Sequence, residues 1–226
     1  SFEAEPGKTI AIIGGTGSGK STLIHLIPRF YDVSDGRILI NGIDISMISQ
    51  EELRKKIGLV TQSAFLFSGT IAENIRFGKQ DATDEEVIHA AEVAQAADFI
   101  AEMPAGFETE IAQGGTNLSG GQKQRISIAR ALVRKPEIYI FDDSFSALDY
   151  RTDALLRESL KQETKDATVI IVAQRVSTIL DADCILVLEE GKLAGMGSHK
   201  ELMSTCEVYR EIVASQLSEE EMKEYE

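Results

Sequence analysis

Three stretches of this sequence carry side chains at spacings that could do chemistry, and all three could face phosphate. The first, residues 14–22, reads GGTGSGKST and fits G-x-x-x-x-G-K-[ST] directly behind a run of β-formers. Its glycines allow close backbone approach. N–H groups along Gly14, Thr16, Gly17, Ser18, Gly19 and the helix start at Ser21 and Thr22 can then wrap a phosphate. Lys20 would reach the outer phosphates of a nucleotide, and the Ser21 hydroxyl would ligate magnesium. The plain alternative is an idle glycine loop. The strand-like residues before it and the helical STLIHLI after it argue for the phosphate loop.

The second stretch, residues 138–149, reads IYIFDDSFSALD: a run of β-formers ends in two adjacent carboxylates, Asp142 and Asp143. One acid at the end of a buried strand is explained as a magnesium anchor, and Asp142 takes that place. Asp143 is a second acid whose competence for chemistry has to be decided. The third stretch, NLSGGQKQRISIARAL at residues 117–132, places Ser119-x-x-Gln122 at capping-box spacing. Gly120 and Gly121 leave the first helical turn bare, which exposes N–H groups at the positive end of a helix dipole. This makes a second candidate anion site, although a helix N-terminus without an anion is commonplace.

The elements that must position these groups read as an α/β fold, a mostly parallel sheet covered by helices. Expected strands are residues 9–13, 37–40, 57–61, 138–141, 168–172 and 184–188. Asn41-Gly42 marks a tight turn and suggests an antiparallel β edge there. Between about 71 and 136 no strand is expected. There Thr83-x-x-Glu86 is a capping box, and Val87, Ala90, Ala91 and Ala94 share one helical face. The expected organisation is a P-loop NTPase core over about 1–70 and 137–226, with an inserted helical subdomain over about 71–136.

Composition narrows the class. At 226 residues and 43% hydrophobic, the chain can bury a core, while a net charge of −14 excludes a broad nucleic-acid face. The acidic EEEMKEYE reads as a solvated tail. Cys184 and Cys206 have neither metal-ligand nor framework spacing, so they read as thiols in a reducing compartment. The start, SFEAEPGKT, lacks a signal-peptide layout, and no uncharged run is long enough to span a bilayer. His25, His89 and His199 lack ligand spacing and read as structural.

With GGTGSGKST upstream, LSGGQ followed by KQR resembles the signature motif of the ATP-binding cassette (ABC) family, and the likeness covers nearly the whole chain. Gln62, in GLVTQSAFLFSGTIAENI, is similar to the family's Q-loop glutamine, in the form seen in exporters. Asp142 matches the Walker B aspartate and residues 146–149 the D-loop. The resemblance implies ATP and Mg2+ as ligands, with Ser21, Asp142 and Gln62 on the metal and Asp149 among the nucleotide-facing residues. It also implies a head-to-tail dimer with a second nucleotide-binding domain, each ATP lying between one phosphate loop and the partner's signature. A transmembrane domain would be a further partner, placing the chain at the cytoplasmic face of a membrane. The family's adenine-stacking aromatic and first strands precede the phosphate loop by more residues than this sequence has before it, so the chain is expected to be an excised domain.

Three positions depart from the family pattern, two of them in the catalytic constellation. The general base is usually a glutamate, and here it is Asp143. One methylene fewer withdraws the carboxylate by about 1.5 Å, and a misplacement near 1 Å can cost roughly 10²-fold in rate. The switch histidine is replaced by Gln174, which can hydrogen-bond a γ-phosphate but carries no imidazolium charge. TEIAQGG also places Gln113 where a glutamate is usual. A site that holds Mg-ATP and cleaves it poorly is the expectation, together with a hetero-partner that supplies the missing glutamate and histidine opposite this chain's intact LSGGQ. Among family members such pairs are halves of exporters, often multidrug ones. A soluble ATP-gated clamp and an unrelated P-loop kinase are the alternatives. The first lacks its coiled-coil insertion here, and the second has no use for LSGGQ.

Overall fold

The computed structural model describes residues 1–217, so the EEEMKEYE tail lies outside the described residues. Strand β1 (Thr9–Gly14) leads through the phosphate loop into helix α1 (Lys20–Leu26). A hairpin, β2 (Leu39–Ile40) and β3 (Ile43–Asp44), and helix α2 (Gln50–Lys55) precede β4 (Ile57–Val60). There follow β5 (Gly69–Thr70), helices α3 (Ile71–Arg76), α4 (Asp84–Val93) and α5 (Ala97–Ala101), strand β6 (Glu110–Ile111) and helix α6 (Gly120–Leu132). The chain returns through β7 (Ile138–Asp142), α7 (Tyr150–Glu163), β8 (Thr168–Val172), β9 (Cys184–Glu189) and β10 (Lys192–Gly197), then α8 (His199–Thr205) and α9 (Glu207–Ala214).

Six strands form one sheet in the order β10-β9-β1-β8-β7-β4, parallel throughout except for β10, which runs antiparallel to β9 at one edge. Because strand side chains alternate, each strand feeds two layers. Ala11 and Ile13 of β1, Tyr139 and Phe141 of β7, and Ile185 and Val187 of β9 point into one. Ile10 and Ile12, Ile140, and Leu186 and Leu188 point into the other, which α1 and α2 cover with Ile24 and Leu53. Burying each such Ile or Leu contributes about 1.5–3 kcal/mol, so the sheet is a rigid base for whatever its ends carry.

The expected fold class holds, with two corrections to its details. Asn41-Gly42 turns an antiparallel hairpin as expected, β2 pairing with β3 apart from the main sheet, whose own antiparallel edge is β10. A strand does occur within 71–136: β6 pairs antiparallel with β5, so Thr70 faces Glu110. It is two residues long and held by its partner, so no alternating pattern marks it. The strand expected over 37–40 is limited to Leu39–Ile40. Both capping boxes form, at Thr83 with Glu86 and at Ser119 with Gln122. Val87, Ala90, Ala91 and Ala94 are all buried, the face by which α4 meets the rest of the helical segment.

Candidate active site

Four neighbouring strands, β1, β8, β7 and β4, deliver the predicted residues at their carboxyl ends, the usual place for a ligand crevice in a parallel sheet. Gly14 closes β1, Asp142 closes β7, Gln174 lies two residues beyond β8, and Gln62 two beyond β4. Cross-links hold these ends in register. The Asp143 N–H donates to the Val172 carbonyl at 2.8 Å, and the buried Ser144 hydroxyl donates to the Val60 carbonyl at 3.0 Å.

In the phosphate loop, a Cβ at Gly14 would sit 2.1 Å from the Leu188 carbonyl oxygen, so only glycine fits. Gly19 caps α1 at φ 96° without any side-chain capping bond, leaving that helix end to another acceptor. The Lys20 ammonium donates to the carbonyls of Gly14 and Gly15, both at 2.8 Å, and so lies across the mouth of its own loop. Burial pulls its pKa below the ordinary lysine value, against the opposing pull of Asp142 and Asp143. The Ser21 hydroxyl donates to the Asp142 carboxylate at 3.3 Å. Burial raises the Asp142 pKa, with the Ser21 hydrogen bond and the Lys20 charge opposing.

The donor set fits magnesium. Ser21 and Asp142 are hard oxygen donors already side by side, and among the described residues no group of three or more His, Cys, Asp or Glu forms a metal cage. Magnesium characteristically takes one or two protein oxygens and fills its shell with water and phosphate.

The second carboxylate is engaged differently. Asp143 is buried and its backbone lies in the left-handed region at φ 46°, a conformation that aspartate tolerates better than most residues. Its Oδ2 accepts from the Gln62 amide at 3.0 Å and from the Gln174 amide at 2.8 Å. Gln62 is thus hydrogen-bonded to Asp143, not to the Ser21–Asp142 pair with which it was expected to share a metal.

The Ser119–Gln122 turn is built as its sequence predicts. The Gln122 N–H donates to the Ser119 hydroxyl oxygen at 3.2 Å and the Ser119 N–H to the Gln122 side-chain Oε1 at 2.9 Å. The serine O–H remains available as a donor. A Cβ at Gly120 would meet nothing within 4 Å, whereas one at Gly121 would lie 3.1 Å from the Ala147 carbonyl oxygen. The first turn of α6 therefore rests on the 146–149 segment with Gly120 outward. Asp149 is committed locally: it accepts from the Thr152 N–H at 3.0 Å and hydroxyl at 2.7 Å, capping α7. Among the described residues no hydrogen bond joins the 119–122 turn to the phosphate loop.

Residues that the motifs do not single out hold these pieces together. Gln124, buried in α6, donates to the Thr61 carbonyl at 3.2 Å beside Gln62. Arg130 donates to the Asn74 and Phe65 carbonyls, and burial lowers its pKa to about 10. Both lie on the KQRISIARAL helix, whose polar residues at buried spacing were the available signal. Gln216 also touches the site, and nothing in SQLSEE advertises it.

Comparison with known proteins agrees with this geometry. The ABC transporter family model matches residues 1–146. An uncharacterized ABC transporter ATP-binding protein of Mycobacterium bovis is 50% identical over 219 residues, covering 96% of this chain and 37% of that protein. A fatty acid ABC transporter ATP-binding/permease protein of the same organism is 44% identical over 209 residues, covering 92% of this chain and 33% of its own length. The solved structure of a bacterial Atm1-family ABC exporter with ATP bound superposes with a TM-score of 0.93 at 45% identity, over 96% of this chain and 38% of that one. The chain thus spans between 33% and 38% of the length of these relatives. It belongs to the ABC transporter family, as an ATP-binding domain of the exporter type.

Proposed function

We propose that this domain binds Mg-ATP at a site of its own that hydrolyses slowly, and completes a faster site on a different partner domain. The observation that carries the reading is Asp143, a carboxylate one methylene short, gripped at one oxygen by the neutral amides of Gln62 and Gln174. Lys20, Ser21 and Asp142, the groups for holding phosphate and magnesium, are in place beside it. Magnesium would supply charge neutralisation across the phosphates. This chain's part is to seat them with Lys20 and the loop amides, and to hold a water with Asp143. Gln174 would meet the γ-phosphate without a formal charge. The turn of Ser119, Gly120, Gly121 and Gln122, with Asp149 behind it, would serve the ATP of the partner, which supplies its own glutamate and histidine.

In the same reading the core over about 1–70 and 137–226 carries the nucleotide, and the helical segment over about 71–136 carries the signature. A transmembrane domain would dock on the exposed rings of Phe65, Phe67 and Phe77, which pack edge-on and tilted against one another, with the Arg130 guanidinium over Phe67 and Phe77, at the seam of the two. In this reading the domain would lie at the cytoplasmic face of a membrane and drive export. Among the described residues no helix is long and apolar enough to cross a membrane. Steady-state hydrolysis by the purified chain is the test. Slow turnover is expected, and a rate at or above about 10 s⁻¹, the median for enzymes, would overturn the slow-site reading.

A further inference from the structure

Gln216 reaches the site from the far end of the described chain. It follows α9, which is anchored by the buried Tyr209 and Val213. Its side-chain Oε1 accepts from the Val176 N–H at 2.9 Å, and its Nε2 donates to the Gln174 carbonyl at 2.8 Å. One amide thus bonds both backbone groups that flank Arg175, as a neighbouring strand would. β8 has ended by this point, and the last ladder bond there runs from the Ala173 N–H to the Ile12 carbonyl at 3.1 Å. Beyond it, Gln216 continues the pairing with a side chain.

We infer that Gln216 is a positioning residue for the nucleotide site, acting through Gln174. The backbone of Gln174 is held at one end by the sheet, through Ala173, and at the other by the Gln216 amide. Its side chain then meets Asp143 at 2.8 Å. Two hydrogen bonds hold an exposed segment that the ladder no longer reaches, so the direction of the Gln174 side chain depends on the end of α9. The inference rests on the reading of Gln174 as the residue that meets the γ-phosphate. It adds that helix α9 sets where that residue stands.

The test compares Mg-ATP with Mg-ADP, since only ATP offers a γ-phosphate. Affinities of the full chain for both are measured by fluorescence titration for the wild type, Gln216→Met, Gln174→Ala and the double variant. Gln216→Met keeps the chain length and removes both polar atoms from an exposed position. Each single substitution should lower the preference for ATP over ADP by about fivefold, the scale of one neutral hydrogen bond. The double variant should fall no further, ADP affinity should hold steady, and the Val176 amide should exchange its hydrogen faster in Gln216→Met. A Gln216→Met protein with full ATP preference beside a weakened Gln174→Ala protein would overturn the inference, as would losses that multiply in the double variant. Should Gln174→Ala itself keep its ATP preference, the γ-phosphate role of Gln174 fails first and the inference goes with it.

Discussion

The Gln174 amide donates to the Asp143 carboxylate at 2.8 Å, joining the residues that follow two adjacent parallel strands, β8 and β7. Both positions are among those read from the sequence as departures from the family pattern. A neutral amide and a carboxylate still complement one another. In the proposed reading, what the pair lacks is reach and charge.

That coupling predicts a cooperative gain. Asp143→Glu with Gln174→His should raise turnover more than the sum of the two single gains, because attack needs both a base and an oriented phosphate. Glutamate at φ 46° should cost about 1 kcal/mol of stability. Single-turnover hydrolysis opposite a partner with intact LSGGQ measures the gain, and strictly additive effects would separate the two positions.

Lys20→Ala removes the ammonium that now spans the carbonyls of Gly14 and Gly15. Affinity for Mg-ATP should fall by roughly tenfold to a hundredfold, the scale of a charge-assisted bond. Titration with a fluorescent ATP analogue reads this directly; an unchanged affinity would remove the lysine from the phosphate site.

Gly120→Asp should fold normally, since a Cβ there meets nothing within 4 Å. In the assembled pair it sets a carboxylate against the partner's phosphate, and ATPase activity should drop by about 10²–10³-fold, as when a preorganised donor is lost. In the proposed reading Asp143→Asn should leave most of the activity, because asparagine also tolerates the left-handed backbone and the acid it replaces acts as a poor base. Equal damage from the two substitutions would make this chain's own site the working one.

His199 supplies a pH prediction. Its Nδ1 lies 2.8 Å from the Tyr209 hydroxyl, and burial lowers its pKa below the ordinary value while pushing that of Tyr209 up to about 12. A histidine depressed in the folded state favours folding while neutral. Its contribution is therefore complete above about pH 6.5, the unfolded value, and is lost as pH falls through the lower folded value. Thermal melts from pH 7.5 to 5.5 should show wild-type stability declining, with a shallower decline in His199→Gln. Parallel curves would exclude the histidine.

Sequence alone locates the groups that phosphate chemistry demands, because Gly14 to Thr22 and Ser119 to Gln122 are local patterns whose geometry is set within a turn. The main strands are legible for a related reason: β-branched runs buried on both faces admit few other readings. β10 escapes because LAGMG is exposed and carries no such run; its partner β9 dictates it. The Gln62–Asp143–Gln174 cluster and the Gln216 contacts are tertiary. Glutamines at those positions carry no periodicity, and only the ends of three strands, β4, β7 and β8, and the end of α9 bring them together.

The placement of β1 has a consequence for how such a chain is made. Thr9 finds its ladder partner at Val169 and Ile10 at Cys184, so the strand that carries the phosphate loop pairs only with strands translated long after it. On the ribosome the apolar run TIAIIG emerges before either of these partners and waits for them through the synthesis of the entire helical segment. Contacts this distant close slowly, and an unpaired apolar strand is the kind of surface that chaperones cover. A nascent chain halted before β8 would carry the whole phosphate-loop motif and still have neither of the strands that hold β1.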